Sequence, residues 1–221
     1  MKRRYVRWIS ILTAGIFLFS LSACSGSEET AGSAVKNDSS GTEDIEVGIV
    51  VKTATNAHFK DIAYGAVLAG QDLGISVRVD NTATEADVEG QITKCENMIS
   101  AGVDAIILTP NDSNGVSGAV EAAHNAGIPF VTMDTEITNI WGDDVAEYMP
   151  NFIGESYEDV AYRLGSAVCE ELNGTGNVVI LRGMDAASSS QQRTAGLERA
   201  IGEYDGITIV ESQSANYDQD T

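Results

Sequence analysis

From residue 45 onward, short apolar runs alternate with longer stretches in which apolar residues recur every three or four positions. Runs of the first kind read as buried strands, and the second kind as amphipathic helices. Alternation of the two is the pattern of βαβ units that wind a parallel sheet. Residues 45–51 predict the first strand, and Phe59, Ile62, Ala63, Ala66, Val67 and Leu73 then fall at helical spacing up to Gly74. A second unit runs from a strand at 75–79 into a helix with an apolar face of Val88, Ile92, Cys95 and Ile99, stopped by Gly102. The third has a strand at 105–108 and a helix face of Val116, Ala119, Val120 and Ala123 ending at Gly127; a fourth strand covers 128–133. Successive crossovers of this kind are right-handed and build one sheet.

Residues 135–150 break the rhythm with scattered acids, a Gly and a Pro, and predict a connection between two lobes. The βα pattern restarts with a strand at 151–154, a helix faced by Val160, Leu164, Val168 and Leu172, and a strand at 178–181. A helix carrying Leu197, Ala200, Ile201 and Tyr204 and a strand at 207–210 follow. The predicted fold is therefore α/β, with an N-terminal lobe over 45–134 and a second Rossmann-like lobe over 151–221.

The first residues follow a different logic. Lys2, Arg3, Arg4 and Arg7 precede a mostly apolar run that ends in small residues, so 1–23 read as a signal peptide. The run is shorter than the roughly 20 residues a spanning helix needs. Leu21-Ser22-Ala23-Cys24 has the form of a lipobox, in which the Cys24 thiol takes a diacylglycerol and becomes the new N-terminus. Residues 24–44, rich in Ser, Gly, Thr and acids, cannot bury enough apolar surface to offset their ordering entropy and predict a disordered tether.

Charge removes whole classes of partner. Of 13 Lys and Arg, four precede Cys24, so nine face all 33 acids in the processed chain, a net charge of −24. Such a field opposes nucleic acid and anionic membrane surfaces. Cys95 and Cys169 lie on or beside apolar helix faces in separate lobes, and read as two buried free thiols.

In open parallel sheets, ligands bind beyond the carboxyl ends of the strands, so the polar loops there are the candidates for chemistry. They fall at 52–58, 80–84, 109–113, 134–136, 182–192 and 212–221. No GxGxxG or GxxxxGK[ST] occurs, which leaves nucleotide binding unsupported. A hydrolase would use His58 or the Asp134/Glu136 pair as acid and base, or the run Ser188-Ser189-Ser190 as nucleophile. Neither a GxSxG elbow nor an HExxH zinc motif accompanies them.

The runs VGIVVKTATNAHF, GISVRV, AGVDAIILTPNDSNGVSGAVEAAHNAGIPFVTMDTEI and GNVVILRGMDAASSSQQRTAGLERAI resemble the periplasmic sugar-binding proteins of the ribose- and galactose-binding type. The resemblance spans nearly everything from residue 45 to 221. It implies a type I periplasmic-binding-protein fold whose lobes close on a monosaccharide or polyol and present it to an ABC permease, with no enzymatic activity and no cofactor. Docking onto a membrane sensor or chemoreceptor is the alternative delivery. Carried over by position, Asn56, His58 and Phe59 match the first-strand loop, Asp134 the cleft acid, Arg193 the Arg at the start of a second-lobe helix, and Tyr217 an aromatic ring beyond the next strand. A sugar offers hydroxyls at its rim and C–H groups on its faces, which suits amides and charges combined with rings. Three positions depart from the pattern: Thr135 stands where an Arg is common, Lys52 where a small polar residue is, and His58 replaces a Phe. Lys52 favours a ligand with a carboxylate or phosphate. The family pattern also continues beyond Thr221, so the resemblance implies a C-terminally truncated sequence with an incomplete second lobe.

Overall fold

The computed structural model describes residues 45–138 and 151–217. The predicted signal peptide, the tether with Cys24, and most of the connection at 135–150 lie outside the described residues. Among the described residues there are seven strands and five helices, beginning with β1 (Glu46–Thr53), α1 (Ala57–Leu73), β2 (Ser76–Thr82), α2 (Val88–Ala101), β3 (Ala105–Leu108), α3 (Ser117–Asn125), β4 (Phe130–Met133) and β5 (Asn151–Ile153). The second half continues with α4 (Tyr157–Glu171), β6 (Thr175–Arg182), α5 (Ser188–Ile201) and β7 (Gly206–Ser214).

The first sheet has the order β2-β1-β3-β4-β5, and every pairing in it is parallel. Its core follows from the periodicities. Ile49 and Val51 of β1 point to one face, where Phe59 of α1 buries and Ile62, Ala63 and Ala66 pack. Val50, Ile106 and Leu108 point to the other, against Cys95 and Met98 of α2 and Ala119, Val120 and Ala123 of α3. Alternation along a strand is what allows helices on both faces of one sheet. The first two helices end as their sequences dictate, with Gly74 and Gly102 at φ 70 and 78, a left-handed conformation that costs a glycine least.

Three expectations are corrected. Residues 151–153 belong to the first sheet, because β5 pairs with β4 through Val131–Asn151, Thr132–Phe152 and Met133–Ile153. The lobe boundary therefore falls after β5, and the chain enters the second lobe only at α4. Leu73, assigned to the buried face of α1, is 72% exposed. It is the last helical residue, beyond the reach of the sheet.

The third correction concerns α4, where Val160, Leu164, Val168 and Leu172 are exposed and the buried residues are Ala161, Gly165 and Cys169. The small-residue row wins because α5 packs against it at close range. A Cβ on Gly165 would meet Ala200 Cβ at 2.8 Å, and one on Gly196 would lie 2.2 Å from the carbonyl oxygen of Glu158. Only glycine lets these two backbones approach so closely. In the second sheet, β6 and β7 pair in parallel, and Ile180, Ile201, Ile207 and Cys169 form its core. Cys95 and Cys169 are free and buried, and burial pushes the Cys95 thiol up to about 12.

Candidate ligand-binding cleft

Strand order 2-1-3-4-5 reverses direction between β1 and β3, and ligands of open α/β sheets bind at the carboxyl ends of the strands beside that point. Here the strand ends are tied down from behind by a buried polar network. Gln91, fully buried, donates to the Thr109 carbonyl at 2.9 Å and accepts from the Asn111 amide at 2.8 Å. Asn111 Nδ2 donates to Thr82 Oγ1 at 3.2 Å, and the Lys52 amide donates to Thr109 Oγ1 at 2.9 Å. Thr82 Oγ1 in turn donates to the Lys52 carbonyl. Every buried polar group in this set has a partner, so the ends of β1, β2 and β3 are fixed relative to one another.

In front of this scaffold lies a cleft of about 310 Å³ lined from both lobes. Lys52, Asn56, His58, Phe59 and Asp134 come from the first lobe, and Arg193 and Tyr217 from the second. All six positions carried over by resemblance, together with Lys52, thus line one space; Thr135, the remaining candidate, is fully buried beside Asp134. Glu85 and Ser189 complete the lining.

Asp134 is the hub. It ends β4 with φ 65, a left-handed backbone that Asp tolerates better than most side chains. Its Oδ1 accepts from His58 Nε2 and from the Tyr157 hydroxyl, both at 2.9 Å, and its Oδ2 accepts from Thr135 Oγ1 at 3.0 Å. Lys52 Nζ stands 3.8 Å from Oδ2, with the two side chains only 2% and 7% exposed. Burial alone would raise the Asp134 carboxyl, but the Lys52 charge and the donors His58, Tyr157 and Thr135 outweigh it and hold the group below the usual carboxylate range. For Lys52 desolvation dominates and lowers its value, against the opposing pull of Asp134 and Glu85. Its ammonium also lies 5.5 Å from the centre of the Phe59 ring.

Asn56 lines the cleft and also holds the local backbone. Its Oδ1 caps α1 by accepting the His58 amide at 3.0 Å, and its Nδ2 donates to Glu85 Oε1 at 3.2 Å. From the second lobe, the Arg193 guanidinium stacks 4.0 Å over the Tyr157 ring and donates from Nη1 to the Tyr217 hydroxyl at 3.2 Å. Burial first, and then the Asp134 charge, push the Tyr157 hydroxyl up, so it stays protonated and donates.

The serine run is explained by the seam between the lobes. Ser188 Oγ donates to the Glu136 carbonyl at 2.9 Å and accepts the Glu136 amide at 3.1 Å, while the Ser188 amide donates to Ser113 Oγ at 2.8 Å. Ser189 Oγ and Thr135 Oγ1 share a hydrogen bond of 2.9 Å. His58 is committed to Asp134 rather than to any of these hydroxyls, so the run closes a joint and forms no nucleophile–base pair.

Sequence reasoning missed two residues. Glu85 lies one position beyond the candidate loop at 80–84, and its acidic character is the one local signal it carries. Tyr157 is the first residue of α4, and nothing in its local sequence says that it reaches back to Asp134 across the lobes.

Two parallel-sheet lobes flanking a polar cleft at the switch point define a ligand-binding fold in which both lobes contribute to one site. The chain belongs to the periplasmic binding protein domain family, whose profile matches residues 47–221. It is 26% identical over 209 residues to the ribose import binding protein of Bacillus subtilis, covering 95% of this chain and 64% of that one. To the D-ribose/D-allose-binding protein of Pseudomonas aeruginosa it is 28% identical over 174 residues, covering 78% and 54%. Among solved structures, an ABC transporter periplasmic solute binding protein from Actinobacillus succinogenes with bound D-allose matches with a TM-score of 0.73 at 32% identity, covering 80% of this chain and 61% of that one. The chain thus spans less than two thirds of the length of these relatives. These relatives are solute-binding proteins rather than enzymes. Among the described residues, no helix is long and apolar enough to cross a membrane.

Proposed function

We propose that the protein is an extracytoplasmic solute-binding protein that takes a monosaccharide or related polyol into the cleft and delivers it to an ABC importer. The observation that carries this reading is the two-sided lining: Lys52, His58, Phe59 and Glu85 from one lobe face Arg193 and Tyr217 from the other. A ligand that touches both walls favours the closed arrangement by its contacts with each, which is how a hinged receptor converts binding into a shape a permease can read. The cleft's mixture of charged groups and rings suits a hydroxylated ligand. Relatives named for ribose and allose binding support the same chemistry.

Within this proposal, Lys52, Asn56, His58, Phe59, Asp134, Thr135, Arg193 and Tyr217 form the site, with Thr135 supporting Asp134 from behind. Cys24 carries the lipid that holds the protein at the membrane, and 24–44 act as its tether. A thermal-shift panel of pentoses, hexoses and pentitols on the full-length protein tests the function. A ligand present at about 100 times its Kd adds roughly 2.7 kcal/mol of stability. That is a rise of roughly 5–10 °C for a protein of this size. A panel in which no polyol or sugar derivative moves the midpoint sinks the proposal.

A further inference from the structure

We propose that the ligand carries a carboxylate as well as hydroxyls, a sugar acid of the aldonate or uronate type, with Lys52 and Arg193 holding the carboxylate. The inference rests on the binding-cleft reading above and deepens it. Its basis is a count of what the cleft's polar atoms have left to give.

The acceptors are largely spent inside the protein. Asn56 uses Oδ1 on the His58 amide and Nδ2 on Glu85. Asp134 takes two hydrogen bonds on Oδ1 and one on Oδ2, with Lys52 facing the latter. Ser189 is bound to Thr135. Glu85, engaged through Oε1 alone, remains the one carboxylate in the lining with an oxygen to spare.

The donors are not spent. Lys52 is 2% exposed, and among the described residues its ion-pair partner Asp134 offers an oxygen 3.8 Å away, beyond hydrogen-bond length. Its ammonium lines the cleft as a buried cation with three N–H groups to place. Among the described residues, Arg193 forms one hydrogen bond, from Nη1 to Tyr217, and stacks on Tyr157, leaving other guanidinium N–H groups to a ligand. The two cations feel each other, since Arg193 adds to the lowering of Lys52.

A neutral sugar hydroxyl donates as well as accepts, and each of its protons needs an acceptor. This wall is rich in donors and poor in acceptors. A carboxylate only accepts, pairs with both cations at once, and relieves their repulsion. Glu85 rules against a bare anion, because its free oxygen repels negative charge and takes a hydroxyl proton. A hydroxylated carboxylate satisfies both ends of the cleft.

The test is titration calorimetry on the full-length protein with D-ribonate, D-gluconate and D-galacturonate, set against D-ribose, D-glucose, D-galactose and inorganic phosphate near neutral pH. At least one sugar acid is expected to bind about tenfold or more tighter than its neutral counterpart and than phosphate. Lys52→Met should weaken that acid by about 100-fold, the loss typical of a desolvated charge contact. Arg193→Gln, at a half-buried position on α5, gives a second variant should Lys52→Met fold poorly, and is expected to weaken the acid in the same direction. Neutral sugars binding as tightly as the acids, or both variants leaving acid affinity unchanged, overturns the carboxylate while the sugar-cleft reading stands. Silence in every arm overturns both.

Discussion

Replacing Asp134 by Asn removes one charge and almost no volume from a carboxylate that gathers three hydrogen-bond donors and an ammonium. Asn keeps an oxygen for His58 and Tyr157, so those bonds persist as weaker, neutral ones. What it cannot keep is the partner of Lys52. At the 3.8 Å separation, an effective dielectric of about 20 puts the attraction at roughly 4 kcal/mol. Removing one member of a buried pair typically costs about 3–5 kcal/mol, because the other charge stays buried alone. The ammonium borders the cleft, where water screens it, so a loss of about 3 kcal/mol is expected at neutral pH. Lys52→Met alone should cost less, about 1–2 kcal/mol, since Asp134 retains its three donors. The double variant should then recover about 2 kcal/mol relative to the sum of the singles. Urea unfolding followed by circular dichroism measures all three, with stability read from the midpoint at constant slope. An Asp134→Asn loss below about 1 kcal/mol, or single effects that simply add, would refute the coupling between the two residues.

Other consequences follow from the same geometry. Because the folded Asp134 value lies below its ordinary one, its stabilisation is fully present above the unfolded value of about 3.9 and lost as pH falls through the folded value; Asp134→Asn should flatten this acid limb in pH-dependent unfolding. Lys52 is lowered, so the unfolded chain binds more protons between the folded and ordinary values, and apo stability should rise with pH in that window. Gly196→Ala places a Cβ 2.2 Å from the Glu158 carbonyl and should cost more than about 3 kcal/mol, whereas Gly118→Ala, in open space on α3, should add about 0.5–1 kcal/mol; thermal melts that rank the two the other way would contradict the α4–α5 packing. Thr135→Val removes the hydroxyl shared with Ser189 and should shift the unliganded protein toward a more open shape, read as a larger radius of gyration in solution scattering. Cys24→Ser should abolish incorporation of labelled fatty acid; labelling that persists would place the lipid elsewhere.

Much of the first lobe is legible in the sequence because its strands and helices bury residues at the periods their geometry sets. Val116, Ala119, Val120 and Ala123 are 0–1% exposed, as helical spacing requires. The second lobe is harder to read, since hydrophobicity points to the Val160–Leu164–Val168 row while packing selects the smaller Ala161–Gly165–Cys169 row beside it. Close helix approach depends on what is absent from a side chain, and a hydropathy pattern records only what is present. The placement of β5 fails for a related reason: three residues carry too little pattern to reveal which sheet they join.

For the cleft, residue type picked out side chains that line one space but not the contacts they make within it. Asn56 caps a helix, and Asp134 organises donors instead of waiting for a hydroxyl. Such assignments depend on contacts spanning dozens of positions, as between Asp134 and His58 or between Ser188 and Ser113, which no local pattern encodes.

The most direct measurement is a crystal structure of the full-length protein with the tightest ligand from the titration panel. The expected result is ligand density between the lobes, with an oxygen within hydrogen-bond reach of both Lys52 Nζ and the Arg193 guanidinium and a hydroxyl on Glu85. Ligand bound outside this cleft, or inside it without contact to either cation, would contradict the assignment.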